Sequence, residues 1–310
     1  MSHLTDQSVQ EWDGLLGPPL SVSTDGQETW LEYQHFWLFM ADQKSDAWIK
    51  VRGGHVSGST CANCCGFSPY ETPYDEAQYA SGCKRKKFDQ VAMGRMNRGT
   101  DREPRVRDWF IRKTGLHIVE LPFAVDKVFP FIGVSVDGIG QDRVIEIKAP
   151  DNMYPALIDY FNGVKTDINK TYWANVLPHL TSDQVKALSE MAHINPCHVC
   201  QMYLGMYVTK RTKATYIVYS ENSNQVFTQD LVWNQWLWDL VLFPRIQYYV
   251  HSILVPLLKG TPFTPGPLRP LMHQLITQTI QVVPVGFPSK QDKVTDFNVS
   301  RAMSEIFTFY

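Results

Sequence analysis

The chain has no long apolar run free of charge and proline. Its most apolar stretch, residues 233–258, is broken by Asp239, Pro244, Arg245, Gln247, His251 and Pro256. It therefore reads as a packed amphipathic helix pair and not as a membrane span, and no membrane partner is expected. The first 27 residues lack the basic start, apolar core and small-residue cleavage site of a leader, and Gly17-Pro18-Pro19 interrupts them. Secretion is not expected, and the expected location is intracellular, in cytoplasm or nucleus. Cysteine is scarce: Cys61, Cys64, Cys65, Cys83, Cys197 and Cys200 in 310 residues. Without a leader these read as reduced thiols and not as a disulfide framework. Cys61-x-x-Cys64 and Cys197-x-x-Cys200, with His193 and His198 nearby, have the outline of a split zinc site. The second pair falls in a helical pattern with an apolar face, however, and ordinary thiols are the simpler reading. A four-thiolate iron–sulfur cluster has less support still. Net charge is also small, −2, which excludes a uniformly basic nucleic-acid binder. There is no internal repeat.

What is present is a large potential core, 44% apolar with 13% aromatic residues, enough for one elaborated domain or two. The charge is unevenly spread. Residues 84–113 hold eleven Lys or Arg against four acids, a net of +7, which leaves −9 for the rest. Such a segment can attract a phosphate backbone to one groove, or it can be a solvated helix face. The periodicity predicts a helix over residues 30–40 and another over 83–114, with Gly94 and Gly99 as interruptions and Pro104 confined to a first turn. A strand over 116–125 follows. Residues 131–137 and 143–149 read as a hairpin around Gly138 and Gly140, ended by Pro150. Helices are expected over 181–192 and 196–209, strands over 214–220 and 225–231, and a Trp-rich helix from near Trp233. This order predicts an α/β fold with a central mixed β-sheet flanked by helices. Pro262, Pro265, Pro267 and Pro270 mark a boundary. The expected organisation is an N-terminal extension (1–44), a central domain (45–259) and a Pro-containing C-terminal extension (260–310).

The hairpin carries the chemistry. Residues two apart in a strand point the same way, so Glu146 and Lys148 share one face while Ile145, Ile147 and Ala149 take the other. The Gly-containing turn folds Asp137 back towards Glu146, bringing two carboxylates and an ammonium to one point. Crowded carboxylates repel unless a proton or cation intervenes, and oxygen ligation suits Mg2+ with Mn2+ as a substitute. The plainer alternative, a cross-strand ion pair of Lys148 with one acid, leaves the other acid unexplained. Glu103 lies on the helical stripe of Val106 and Phe110 and either caps a helix start or joins the same cluster.

These residues resemble a known family. Asp137, eight residues, then Glu146-Ile147-Lys148 is similar to the signature of the PD-(D/E)XK nuclease superfamily. The surroundings narrow the likeness: Ser135-Val136-Asp137-Gly138, Glu146-x-Lys148-Ala149-Pro150, then Gln201, Val208-Thr209-Lys210 and the Tyr216 to Tyr219 strand. Together they resemble the phage lambda exonuclease and viral alkaline exonuclease group, the YqaJ-like viral recombinases. Trp48-x-x-x-Arg52 followed by Val56-Ser57-Gly58-Ser59 is similar to the group's segment that grips a DNA 5′ end, and Gly99-x-x-x-Glu103 to its helix with a further acid. The matches run in family order from about residue 45 to 232.

The resemblance implies a restriction-endonuclease-like core. It implies that Asp137, Glu146 and the main-chain carbonyl of Ile147 bind the first metal with Glu103 assisting, and that Lys148 orients or deprotonates the attacking water. It implies that Gln201 sits near the scissile phosphate and that Arg52, Ser57 and Ser59 hold a terminal 5′-phosphate. From the residues alone the serines could equally cap a helix, and Gln201 could be helix surface. Two departures stand out. Val136 replaces the usual Pro, and the acid expected about ten residues before Asp137 has no clean match: Lys127 has that spacing and Asp126 is one residue off. The implied activity is Mg2+-dependent 5′-to-3′ digestion of one strand of linear duplex DNA, giving 3′ overhangs for recombination or viral genome processing in the host cell. Duplex ends, a single-strand annealing protein and further copies of the chain are the implied partners. The alternatives are a structure-specific endonuclease or resolvase, and a non-catalytic DNA-end-binding partner of a recombinase.

Overall fold

The structure is a computed structural model that describes residues 6–25, 28–87, 89–258, 267–277 and 305–308. Along the chain, helix α1 (Asp6–Leu16) precedes strands β1 (Ser21–Asp25), β2 (Glu28–Glu32) and β3 (Phe36–Phe39), followed by helices α2 (Asp46–Arg52), α3 (Gly58–Cys65), α4 (Pro73–Ala80) and α5 (Gln90–Thr114). Strands β4 (Phe123–Asp126), β5 (Gly133–Val134), β6 (Gly138–Ile139) and β7 (Arg143–Lys148) come next, then helices α6 (Pro155–Phe161), α7 (Ser182–Ser189) and α8 (Pro196–Thr209). Strands β8 (Lys213–Ser220) and β9 (Gln225–Val232) precede a helical run, Leu237–Leu258, whose α-helical parts are α9 (Phe243–Tyr248) and α10 (Val255–Leu258). Helix α11 (Arg269–Thr277) and strand β10 (Glu305–Thr308) follow.

Residues 30–40 are not a helix. Trp30 and Leu31 are separated from Phe36, Trp37, Leu38 and Phe39 by a short polar turn, and two short apolar runs of aromatic residues suit paired strands better than one helix. They make β2 and β3, in register Trp30↔Phe39. β3 then pairs with β4, Phe36 opposite Asp126, and β4 with β5, giving an antiparallel sheet in the order β1-β2-β3-β4-β5. The expected N-terminal extension thus supplies three of its five strands. Of the expected strand over 116–125, only the last residues are strand; Val119 forms a single bridge to Ile139.

The second sheet has the order β10-β9-β8-β7-β6, with β7 and β8 parallel and the other pairs antiparallel. This is the mixed sheet flanked by helices that the order of elements implied. The strand opposite β7 in the hairpin is Gly138–Ile139 and not residues 131–137, of which Gly133 and Val134 pair instead with the first sheet. α5 covers one face: Val106, Trp109 and Phe110 pack on Ile145, Ile147, Ala149, Ile217 and Val226. α8 covers the other, where Met202, Leu204 and Met206 join Val144, Tyr216 and Val218 in the main core.

α5 begins at Asp89, which accepts from Ala92 N (2.6 Å), and ends at Gly115 in the left-handed region (φ 69°). Pro104 lies inside this helix and not in a first turn. The helical run Leu237–Leu258 is continuous where two helices were expected. Two π-helical turns, Leu237–Leu242 and Tyr249–Leu254, run directly into α9 and α10, which carry Pro244 and Pro256. Wider turns absorb backbone that a strict α-helix cannot pair. The run is long and apolar enough to cross a membrane, yet half of its most apolar window is buried in the protein. The expected C-terminal extension lies mostly outside the described residues; within it, Leu268 and Met272 are buried.

Candidate active site

β6 pairs with β7 only at Gly138 and Ile139. Beyond that point the Ile147 N–H would be an orphan, and Asp137 Oδ2 accepts it at 2.7 Å. In an extended strand a residue's N–H and C=O point to the same edge, so the Ile147 carbonyl faces the same side. Gly138 permits the approach, since a Cβ there would lie 2.6 Å from Ile118 Cγ2. Glu146 and Lys148 project from the face opposite Ile145 and Ile147, as the two-residue period dictates. Lys148 Nζ forms a contact ion pair with the buried Glu146 Oε1.

Charge balance sets the proton affinities. Burial raises the Glu103 pKa and the Asp137 charge raises it further, against Lys44 and Lys148. Glu103 and Asp137 line one cleft, and the α5 cap is Asp89, so the reading of Glu103 as a helix cap falls away. Asp137 is raised by burial, against Lys148, the Ile147 N–H and Arg107. Glu146 rises to about 7: burial pushes it up, Lys148 pulls it down, and Asp137 and Glu103 push it up again. Burial opposes the charge on Lys148, but Glu146 and Asp137 outweigh it and its pKa moves up. The four acids Glu103, Asp137, Glu146 and Glu120 thus outnumber the three cations that act on them, Lys148, Lys44 and Arg107.

Among the described residues no three acid, His or Cys side chains are gathered into a ready-made metal cage. The donor set nevertheless fits a hard divalent cation: desolvated carboxylates whose affinity for protons burial raises, and a main-chain carbonyl on the same strand edge. Asp137, Glu146 and Ile147 O are the residues that would hold it, with Glu103 reaching in from α5. The six cysteines are free thiols, five of them at least partly buried.

A second charged centre lies at the start of α3. Arg52 Nη2 donates to Ser57 Oγ (3.0 Å) and to Ser59 Oγ, and the guanidinium rests 4.8 Å from the centre of the Trp48 ring. Ser57 does stand at a helix start as its N-cap, in a capping box with Thr60, whose Oγ1 accepts the Ser57 N–H at 2.9 Å and lies 3.1 Å from Ser57 Oγ. The same Ser57 hydroxyl, with that of Ser59, also meets the arginine. Gln201 lies over Gly58, where a Cβ would sit 3.7 Å from its Nε2. The structure therefore brings Arg52, Ser57, Ser59 and Gln201 to one place. Trp48 ties it to the acids: its Nε1 donates to Ser135 Oγ (3.0 Å), two residues ahead of Asp137.

Residues 47–212 match the family described as the YqaJ-like viral recombinase domain. The chain belongs to this family. Two solved structures are similar to it: an alkaline exonuclease (LHK-Exo) from Laribacter hongkongensis, at 19% identity and a TM-score of 0.47, and the same exonuclease in complex with dAMP, at 19% identity and a TM-score of 0.46. Each comparison covers 74% of this chain and 100% of the other. No curated protein matches it.

The stretch matched to the YqaJ-like family holds every candidate site residue named from the sequence, while the Tyr216 to Tyr219 strand falls just beyond it, and the structure adds others. Neither candidate for the missing acid lies among the groups that shift the acids' pKa values. Asp126 is fully buried, accepts from Val128 N and Phe129 N, and pairs with Lys210; Lys127 pairs with Glu32. The acid that does is Glu120, whose charge raises both Glu103 and Asp137. It accepts from Arg107 Nη2 (2.8 Å), and Arg107 Nη1 donates to the Asp137 carbonyl (2.5 Å). Glu103, Arg107, Glu120 and Asp137 line one cleft of about 580 Å3. Near Lys148, His198 Nδ1 and Tyr216 Oη are hydrogen-bonded at 2.7 Å, and burial followed by the Lys148 charge keeps this imidazole neutral. Glu120 lies too far along the chain from Asp137 for spacing to reveal it.

Proposed function

We propose that the protein is a divalent-metal-dependent DNA exonuclease that digests one strand of a linear duplex from its 5′ end and leaves 3′ overhangs for recombination or viral genome processing. The observation that carries this reading is the Trp48 link, which fixes the Arg52–Ser57–Ser59 fork against the segment between β5 and β6 that bears Asp137. A fork that recognises a terminal phosphate, held at constant distance from a hydrolytic centre, suits an enzyme that cuts next to an end. The recombinase description of the family agrees with an enzyme that prepares DNA ends.

Mg2+, or Mn2+ in its place, would be held by Asp137, Glu146 and the Ile147 carbonyl. When bound it supplies charge to the phosphate and acidity to its water. Lys148, kept protonated by Glu146 and Asp137, orients the attacking water and offsets charge building on the phosphate; only an Nζ that has first released its own proton to solvent would accept the water's proton. The Gln201 amide contacts the scissile phosphate, and Arg52 with Ser57 and Ser59 binds the 5′-phosphate. Duplex ends are the substrate. A single-strand annealing protein to take the exposed 3′ strand, and further copies of the chain to keep hold of the duplex, are the partners, inside the host cell.

The test is a paired rate comparison with excess enzyme on end-labelled duplexes bearing 5′-phosphate or 5′-hydroxyl, beside a covalently closed circle. We expect faster digestion of the phosphorylated end, no cutting of the circle, and arrest by a chelator. Arg52→Ala should remove most of an about tenfold or larger preference, the scale of one charge-assisted hydrogen bond, while leaving residual hydrolysis. A cut circle would favour the endonuclease, and end binding without hydrolysis the non-catalytic partner.

A further inference from the structure

We propose that α1, which lies outside the stretch matched to the family, is a working part of the metal-binding centre, with Trp12 as a positioning residue that holds Glu120 against Glu103 and Asp137. This rests on the reading that the acids take a divalent cation.

Three consecutive residues between α5 and β4 are each tied to a different element. Val119 exchanges two main-chain hydrogen bonds with Ile139 of β6 (3.0 and 2.7 Å), and the Leu121 carbonyl accepts from Gln43 Nε2 (3.3 Å). Between them, the Glu120 carbonyl accepts the indole N–H of Trp12 at 2.9 Å. Trp12 is 2% exposed, whereas the Glu120 side chain is 45% exposed. An acid that open to solvent is not held by packing of its own, so its direction depends on its main chain and on Arg107. Arg107 in turn donates to the carbonyl of Asp137. The chain of contacts thus runs from Trp12 through Glu120 and Arg107 to Asp137.

α1 is itself anchored to the same region. Arg211 donates both to the Leu15 carbonyl (3.2 Å) and to the Gly140 carbonyl (2.8 Å), just past β6. Glu11 and Trp12 line the same cleft as Glu103, Glu120 and Asp137. The titratable lining of that cleft is mostly acidic, with Lys44 and Arg107 as its basic groups. Such a surface attracts a hydrated cation and repels a bare phosphate. Residues that orient the ligands of a metal commonly change its affinity by tenfold or more when lost.

The experiment is direct Mn2+ binding to the full-length protein without DNA, by calorimetry and by loss of the free Mn2+ resonance signal. Trp12→Phe removes the N–H. Replacing Trp12 by its benzothiophene isostere removes it while keeping the shape, which covers the case in which the Phe variant folds poorly. Each should weaken Mn2+ binding about tenfold. Glu120→Gln should do the same, and Trp12→Phe added to Glu120→Gln should weaken it no further, because a residue acting through Glu120 has nothing left to act on. Unchanged Mn2+ affinity in the isostere overturns the proposal, and so does an additive loss in the double variant, which marks a merely structural role. Asp137→Ala separates the two readings: if it binds Mn2+ as the wild type does, the metal centre itself is misread and this proposal falls with it; if it loses Mn2+ while the Trp12 variants keep it, only the role of α1 falls.

Discussion

α5 meets acids on two sides, and the two meetings differ in charge balance. On one side Arg98 Nη2 and Arg102 Nη2 each lie 2.9 Å from Asp151, while Arg102 Nε (3.3 Å) and Arg105 Nη2 (2.7 Å) reach Glu221. Three guanidiniums serve two carboxylates there, and hydrogen bonds from Arg98 and Arg102 hold Asp151 down at about 2. On the other side Glu103, next in sequence to Arg102, joins Asp137, Glu146 and Glu120 with Lys148 and Arg107, and burial pushes Glu103, Asp137 and Glu146 up. The residue types are nearly the same. Surplus cation with exposure makes a strut; deficit of cation with burial makes a centre that calls for a further positive charge. The comparison also divides the basic segment, because Arg98, Arg102, Arg105 and Arg107 are engaged within the protein.

The largest contrast is expected between Lys148 and Arg102. Lys148→Ala should lower cleavage by about 10²–10⁴-fold while keeping affinity for duplex ends within about tenfold, since the loss falls on water activation and transition-state charge. Single-turnover rates beside end-binding titrations measure both. Arg102→Gln should do the reverse. It loses hydrogen bonds to the Ala149 carbonyl, Asp151 and Glu221, and should cost about 1–3 kcal/mol of stability with cleavage kept within about tenfold. Undiminished cleavage in Lys148→Ala, or silence at unchanged Tm in Arg102→Gln, would erase the distinction between the two faces.

The same distinction predicts a pH signature of a few degrees. The Glu146 pKa is about 7 in the folded chain against an ordinary 4.5, so between those values the folded state binds more protons than the unfolded one. Stability should therefore be greatest below this window and fall as pH rises through it, with Glu103 and Asp137 acting in the same direction. Asp151, held low, has the opposite sign, and its contribution is lost only as pH falls towards about 2. A divalent cation binds the ionised folded form. Mg2+ or Mn2+ should thus raise Tm more at pH 8 than at pH 5.5, at about 1.5 °C per kcal/mol for a chain of 310 residues. An equal shift at both values would mean that the acids are not the cation's ligands.

Much of this centre was legible because strand periodicity is strict. Glu146 and Lys148 had to share a face once residues 143–148 were read as strand, and Asp137 had to return through the glycine turn. The Arg52, Ser57 and Ser59 cluster was legible only through resemblance, since nothing in a helix, a turn and a second helix says that their side chains converge. Glu120 was not legible at all. Its nearness to Asp137 comes from the Val119–Ile139 bridge, a tertiary contact with no periodic trace. The helix expected over residues 30–40 failed for a related reason: short aromatic runs fit either period, and the pairing of β3 with β4, distant in sequence, decides between them. Pro104 misled in the other direction, because packing of Val106, Trp109 and Phe110 carries α5 through a residue that local preference places at a helix start.

The smallest effect separates the two halves of the basic segment. Arg85 and Lys87 make no ion pair among the described residues, and Lys84 and Lys86 keep loose ones to Asp75 (3.5 Å) and Glu76 (3.6 Å). For duplex DNA the slope of log K against log salt flattens by about 0.9 for every phosphate that the protein ceases to neutralise. Replacing Lys84, Arg85, Lys86 and Lys87 by Gln should therefore reduce that slope by about two to three, and should weaken binding equally on unrelated sequences. Arg98→Gln with Arg105→Gln should leave the slope as it is, because Asp151 and Glu221 already neutralise those guanidiniums and few counterions remain to be released. Fluorescence anisotropy on a catalytically silent Lys148→Ala background, across a salt series, measures both without digestion. An unchanged slope in the first variant would put the lysine run away from DNA. A flattened slope in the second would mean that the strut opens on binding and that its arginines transfer from carboxylate to phosphate, an exchange that the 2.9 Å pairs with Asp151 oppose.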